Sequence, residues 1–173
     1  MKIEEMHSTT LGNLPTPLTE MPVLSAKLGP QIFIKRDDLI GLAMGGQKCR
    51  MLESVMSEAK DMGADILIAA GRPHGNQGVQ LAAAAHRLGM DITMFLYKGN
   101  CRLQGNFLLL NLLGTQIKVT DMDWYGGQAK LSEQMESLAA ELRSKGRRPY
   151  VIHSLKTPLA IVGYAHAVSE ICK

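Results

Sequence analysis

Two hydrophobic rhythms alternate along the chain. Between residues 51 and 152, stretches with apolar side chains three and four positions apart give way to short runs of consecutive apolar or β-branched residues. In the first helical stretch Met51, Val55 and Ala59 share a face with Leu52, Met56 and Met62. Leu103, Phe107 and Leu110 repeat the spacing, and Leu131, Met135, Leu138 and Leu142 step by four, three and four. Residues 77–88 are rich in Ala, which suits a helix lying close on a sheet. Gly63, Gly89, Gly114 and Gly146 each stand where such a segment ends and a left-handed residue is needed. Strand-like runs follow at 65–70, 91–97, 115–120 and, more briefly, 149–152. The repeat of helix, glycine, strand and loop predicts an α/β fold, a parallel sheet of about four strands with flanking helices as crossovers. Residues 1–50 break the rhythm, with Pro15, Pro17, Pro22 and Pro30 and one strand candidate at 31–35. They read as an arm crossing a domain.

Composition narrows the class. The chain has 173 residues, 46% hydrophobic and 20% charged. These are globular values, and a chain of this size can bury roughly 70% of its unfolded surface. No apolar run approaches the ~18 residues of a spanning helix, and the first residues carry charge without an apolar stretch, so neither a membrane span nor a signal peptide is expected. The net charge of +3 and the 5% aromatic content give no basic, aromatic stripe for nucleic acid. Cys49, Cys101 and Cys172 are odd in number and far apart, which suits neither a disulfide framework nor a zinc site. No metal is expected, and a reducing cytoplasmic setting is the default.

Ligands of open α/β sheets bind at the carboxyl ends of strands, against helix N-termini. Two glycine-rich loops stand there, at 41–48 and 71–78. The first has the glycine spacing of a P-loop, but Gln47 occupies the lysine position and Cys49 follows Lys48, so the magnesium-binding hydroxyl is missing. The second could open a dinucleotide fold, but its glycine spacing differs, and the next strand ends Leu96-Tyr97-Lys98 without the acid that holds a ribose. A third reading joins the loops into one site. Lys48 would supply an amine for Schiff-base chemistry with an aldehyde, and the backbone around Gly75, Asn76 and Gln77 would hold a carboxylate. On spacing alone, a solvated lysine and an Asn76 that only caps its helix are the favoured reading of these loops.

The segment 34–53, Ile-Lys-Arg-Asp-Asp-Leu-Ile-Gly-Leu-Ala-Met-Gly-Gly-Gln-Lys-Cys-Arg-Met-Leu-Glu, resembles the fold type II pyridoxal-phosphate enzymes. In particular it resembles the D-cysteine desulfhydrase and 1-aminocyclopropane-1-carboxylate deaminase family. The opening Pro15-Thr-Pro-Leu, residues 24–29, Ala70-Gly71, Asn76-Gln77, residues 82–89 and Gly163-Tyr164 extend the likeness over almost the whole chain. The resemblance implies a tryptophan-synthase-beta-like small domain with pyridoxal 5'-phosphate as cofactor. Lys48 would attach the cofactor as an internal aldimine and shuttle the substrate's α-proton. Asn76 would hydrogen-bond the pyridine-ring oxygen, and Gly75, Asn76 and Gln77 would grip the carboxylate of a small amino acid. Activity as a lyase or deaminase is implied.

Departures accompany the likeness. Gly75 replaces a family serine, Val79 an arginine, Gln47 an asparagine and Met51 a basic residue; residues 153–158 lack a glycine pair. The family is about twice this length, and its phosphate-cradling loop comes later than Lys173. The resemblance therefore implies an N-terminal portion. Residues 1–50 would be an arm and large-domain strand carrying the cofactor lysine, 51–148 the small domain, and 149–173 the start of an incomplete large domain. An exposed apolar side is expected, covered by a complementary C-terminal chain or by self-association. The alternative is a non-catalytic remnant or subunit of a split enzyme.

Overall fold

A computed structural model describes residues 8–172. The first described segment leads into a two-stranded antiparallel ribbon, β1 (Leu18–Glu20) and β2 (Phe33–Lys35), joined through α1 (Pro22–Leu28). Sequence reading finds β2 but neither β1 nor α1. Both lie among the prolines, are short, and bury nothing that would leave a periodic stripe.

The remainder is a doubly wound α/β unit. Its elements are α2 (Lys48–Asp61), β3 (Ile66–Gly71), α3 (Asn76–Arg87), β4 (Asp91–Leu96), α4 (Gly105–Leu112), β5 (Gln116–Val119), α5 (Gln128–Ser144), β6 (Pro149–Ile152) and α6 (Pro158–Ile171). The four strands are parallel in the order β5-β4-β3-β6, with Ile66 opposite Asp91 on one side and Pro149 on the other. The predicted parallel sheet is present. All four glycines expected to end helices have positive φ, between 66° and 79°. The central strands β3 and β4 are almost wholly buried, as parallel strands covered on both faces must be. Alternate residues serve two cores. Leu67, Ala69, Ile92, Met94 and Leu96 join Leu52, Met56 and Leu81 on one face. Ile68 and Phe95 join Leu131, Met135 and Ala139 of α5 on the other.

Two details of the predicted stripes differ. Met62 is exposed because it lies beyond the last turn of α2, at its C-cap. Leu103 is exposed because α4 begins only at Gly105. The expected boundary between 148 and 149 falls within the sheet. After α5 crosses the second face from the far edge, β6 pairs with β3, so 149–152 share a sheet with the segment 51–148. α6 then packs along α2. No helix among the described residues is long and apolar enough to cross a membrane.

Candidate active site

The sheet order reverses at β3. The connections through α3 and α4 carry the chain to one edge, and α5 returns it to the other side of β3. The carboxyl end of β3 is thus the place where an α/β sheet opens a crevice. A cleft of about 280 Å³ lies there, lined by Lys48, the end of β3, the residues 75–78 and Trp124. The four residues singled out in the sequence, Lys48, Gly75, Asn76 and Gln77, all line it.

Local backbone chemistry places each of them. Lys48 is the first residue of α2, launched from Gly45 and Gly46 at φ +70° and +105°. A Cβ on Gly45 would overlap the Asp38 carbonyl, so only glycine fits that turn. The turn is tied on both sides: Gly46 N–H donates to Asp37 O at 2.8 Å, and the buried Gln80 amide of α3 donates to Gly45 O. Gly75 precedes α3 in an extended conformation and supplies no side-chain cap. The first N–H groups of α3, the positive end of its dipole, therefore open on the cleft without a side-chain partner. Asn76 Oδ1 accepts from Asn106 Nδ2 at 2.7 Å, and the same Nδ2 donates to His74 O at 2.9 Å. This arrangement fixes the Asn76 carboxamide and leaves its Nδ2 as the available donor.

Sequence reasoning missed three residues of this site. Arg72 and Trp124 line the cleft, and Asn106 orients Asn76. Arg72 directly follows the last residue of β3, and Trp124 is the chain's only tryptophan; both signals were legible. Other candidates fall elsewhere. His74 and His86 are exposed. Tyr164 is half-buried; its hydroxyl donates to Gln47 Oε1, beside Lys48, and contacts Met51 Sδ at 3.4 Å. Cys49 is fully buried, and burial followed by the Glu53 carboxylate pushes its thiol up to about 12, away from the range of a reactive thiolate.

The long charged motif serves a different end. Arg50, 1% exposed, donates through Nε and Nη2 to Asp37 at 2.7 and 2.8 Å, through Nη1 and Nη2 to Glu170 at 2.9 Å each, and to Thr16 Oγ1 at 3.0 Å. Lys35 adds 2.6 Å contacts to Glu170 and to Thr16 O. Burial pushes the Asp37 and Glu170 carboxyls up, but the hydrogen bonds from Arg50, with those from Thr16 and Lys35, outweigh it and hold both below the usual carboxylate range. Glu53 accepts from Leu11 and Gly12 N–H at 2.9 and 3.3 Å, pinning the first described segment to α2. Gly163 lets α6 lie on α2 so closely that a Cβ there would overlap the Arg50 carbonyl.

Solved structures share this architecture. One described as an ACC deaminase homologue superposes with a TM-score of 0.87 at 35% identity, covering 99% of this chain and 52% of the other. The Escherichia coli diaminopropionate ammonia lyase in apo form follows at 0.64 and 18% identity, a likeness of fold alone over 98% of this chain and 49% of that one. The fold is that of the fold type II pyridoxal-phosphate enzymes.

In sequence, residues 9–173 match the family model "Pyridoxal-phosphate dependent enzyme", and the chain belongs to that family. A Pyrococcus horikoshii protein provisionally named 1-aminocyclopropane-1-carboxylate deaminase is 38% identical over 157 residues, 90% of this chain and 47% of that protein. The D-cysteine desulfhydrase of Klebsiella pneumoniae strain 342 is 40% identical over 166 residues, 92% and 49%. The chain spans about half the length of the curated relatives it matches. The residues at the cleft fit the family's cofactor: a lysine amine for its aldehyde, an amide donor for its ring oxygen, and an uncapped helix start for an anion.

Proposed function

We propose that this chain is the N-terminal portion of a pyridoxal-phosphate-dependent lyase or deaminase of the D-cysteine desulfhydrase type, acting on a small amino acid. The observation that carries the reading is that Lys48, Gly75, Asn76 and Gln77 line one cleft at the carboxyl end of β3. When bound, the cofactor supplies an electron sink for charge developing at the substrate's α-carbon. The chain's residues supply attachment, orientation and proton transfer. Lys48 Nζ is the point of covalent attachment and, once released, the base that moves the α-proton. Asn76 Nδ2 donates to the ring oxygen, with Asn106 fixing the amide that does so. The N–H groups at the start of α3 hold the substrate carboxylate.

Exposed apolar faces outside the cleft call for a partner. Leu18, Phe33 and Ile34 of the ribbon and Ile161, Val168 and Ile171 of α6 are apolar and more than 40% exposed. A complementary C-terminal segment or a second copy of the chain would cover them. A non-catalytic subunit is the second reading. It is favoured by Gly75, which brings no hydroxyl to the cleft to relay protons.

A visible-absorption titration of the purified chain with pyridoxal phosphate, with Lys48→Ala as control, tests the reading. A saturable band abolished by the substitution is expected. No band, or one that survives the substitution, overturns the assignment of Lys48. Gel filtration tests the partner: self-association is expected, and a clean monomer counts against it.

A further inference from the structure

Beyond Lys48 and the α3 loop, the cleft carries a cation that the proposed chemistry does not use. Arg72 lines it immediately after β3, and its guanidinium lies 4.6 Å from the centre of the Trp124 ring. Trp124 is itself held edge-on by Tyr97, with centroids 5.0 Å apart. Stacking fixes the direction of a guanidinium without neutralising it or occupying its N–H donors. Arg72 makes no ion pair among the described residues, unlike Arg36, Arg50 and Arg147, which each meet a carboxylate. The cleft continues past Arg72 and Trp124 into an open hollow lined by Lys98, at the end of the neighbouring strand, and by Asp123. Asp123 pairs with neither cation among the described residues. Positive charge thus extends outward from the start of α3, through Arg72, to Lys98.

Resting on the proposed reading of Lys48 and the α3 loop, we infer that Arg72 determines specificity: the substrate is an amino acid whose side chain ends in a second carboxylate. The α-carboxylate takes the N–H groups of α3, and the distal carboxylate takes the forked donors of Arg72 on the Trp124 side. Planar, bidentate pairing is what a guanidinium offers a carboxylate and what an ammonium cannot reproduce.

The only tryptophan of the chain sits at the inferred anchor, so its indole emission reports occupancy with or without cofactor. The purified chain is titrated with aspartate, serine and inorganic phosphate, before and after loading with pyridoxal phosphate. Aspartate should change the emission saturably and serine should not. Arg72→Gln should raise the half-saturating aspartate concentration by about ten-fold or more, as expected for one lost charge-assisted contact. Arg72→Lys should recover only part of the loss. An aspartate response unaffected by Arg72→Gln, the same response to serine, or none at all overturns the inference. A phosphate response equal to that of aspartate reduces Arg72 to a general anion site and overturns the dicarboxylate assignment. The absorption titration with Lys48→Ala stands apart from these outcomes. No band in the parent chain, or one that survives Lys48→Ala, beside an Arg72-dependent aspartate response removes the Lys48 reading and leaves the dicarboxylate site; a band abolished by Lys48→Ala without that aspartate response removes the inference alone.

Discussion

Removing the Glu170 carboxylate should be among the most damaging single changes in the chain. In the folded protein Lys35, Arg50, Asp37 and Glu170 balance two positive charges with two negative ones, at side-chain exposures between 1% and 17%. Glu170→Ala deletes two hydrogen bonds from Arg50 and one ion pair from Lys35, leaving a net positive charge on a buried group. Breaking a buried pair from one side costs about 3–5 kcal/mol, a large share of a domain's usual 5–15. With an m-value of about 2 kcal/mol/M, the urea midpoint should fall by about 1.5–2.5 M. The same motif contains its own control. Arg36 and Asp38 alternate with Lys35 and Asp37 along the chain and point outward, paired at 2.8 Å with side chains 34% and 57% exposed. Asp38→Ala should leave the midpoint unchanged within error, because solvent screens that pair. Equal midpoints for Glu170→Ala and Asp38→Ala would refute the argument.

Further expectations follow from the same geometry. Asp37 and Glu170 are held below the usual carboxylate range, so their contribution is complete above the unfolded carboxylate pKa and disappears as pH falls through the lower folded values; urea midpoints from neutral to strongly acid pH should show this decline, and Arg50→Met should flatten it. Gly163→Ala should destabilise the protein despite alanine's better helix propensity, because the new Cβ meets the α2 backbone, lying 3.0 Å from Met51 N and overlapping the Arg50 carbonyl; a thermal melt equal to or above the parent's would contradict the close approach. Gly75→Ser should be tolerated within about 0.5 kcal/mol, since φ is −74° and the tightest contact of the new Cβ is Arg72 O at 3.3 Å, which chemical denaturation can check. A thiol titration should find Cys101 and Cys172 reactive in the native chain and Cys49 only after unfolding.

The sheet was readable because its strands are buried on both faces and its helices end in glycines, which leaves both rhythms in the sequence. The Lys48 cleft was readable for a related reason: helix starts at strand ends are places, and Gly75, Asn76 and Gln77 occupy one. The ribbon was only half readable, because β1 and α1 bury no side chain and leave no periodicity. The ion-pair lattice left no local signal at all. Arg50 and Glu170 are 120 residues apart, and nothing along either helix marks them as partners. The segment 34–53 carried the family resemblance strongly, yet Lys35, Asp37 and Arg50 within it hold α2 to α6 and do not line the cleft. Arg72 and Trp124 were each legible singly, but their pairing was not, because a cation and an aromatic residue 52 positions apart meet only once β3 and the loop before α5 are in place.

The 120-residue span between Arg50 and Glu170 also sets a schedule. Synthesis at about 5–20 residues per second separates the appearance of the two by about 6–24 s. During that interval the guanidinium has only Asp37 and Thr16 to meet, and α2 lacks the helix that packs along it. Closing so long a loop is entropically costly, and the contacts that repay it arrive late. The helix that begins with Lys48 is therefore secured from its far side by an element that emerges 120 residues later, and a nascent chain has its candidate cleft before it has the brace behind it.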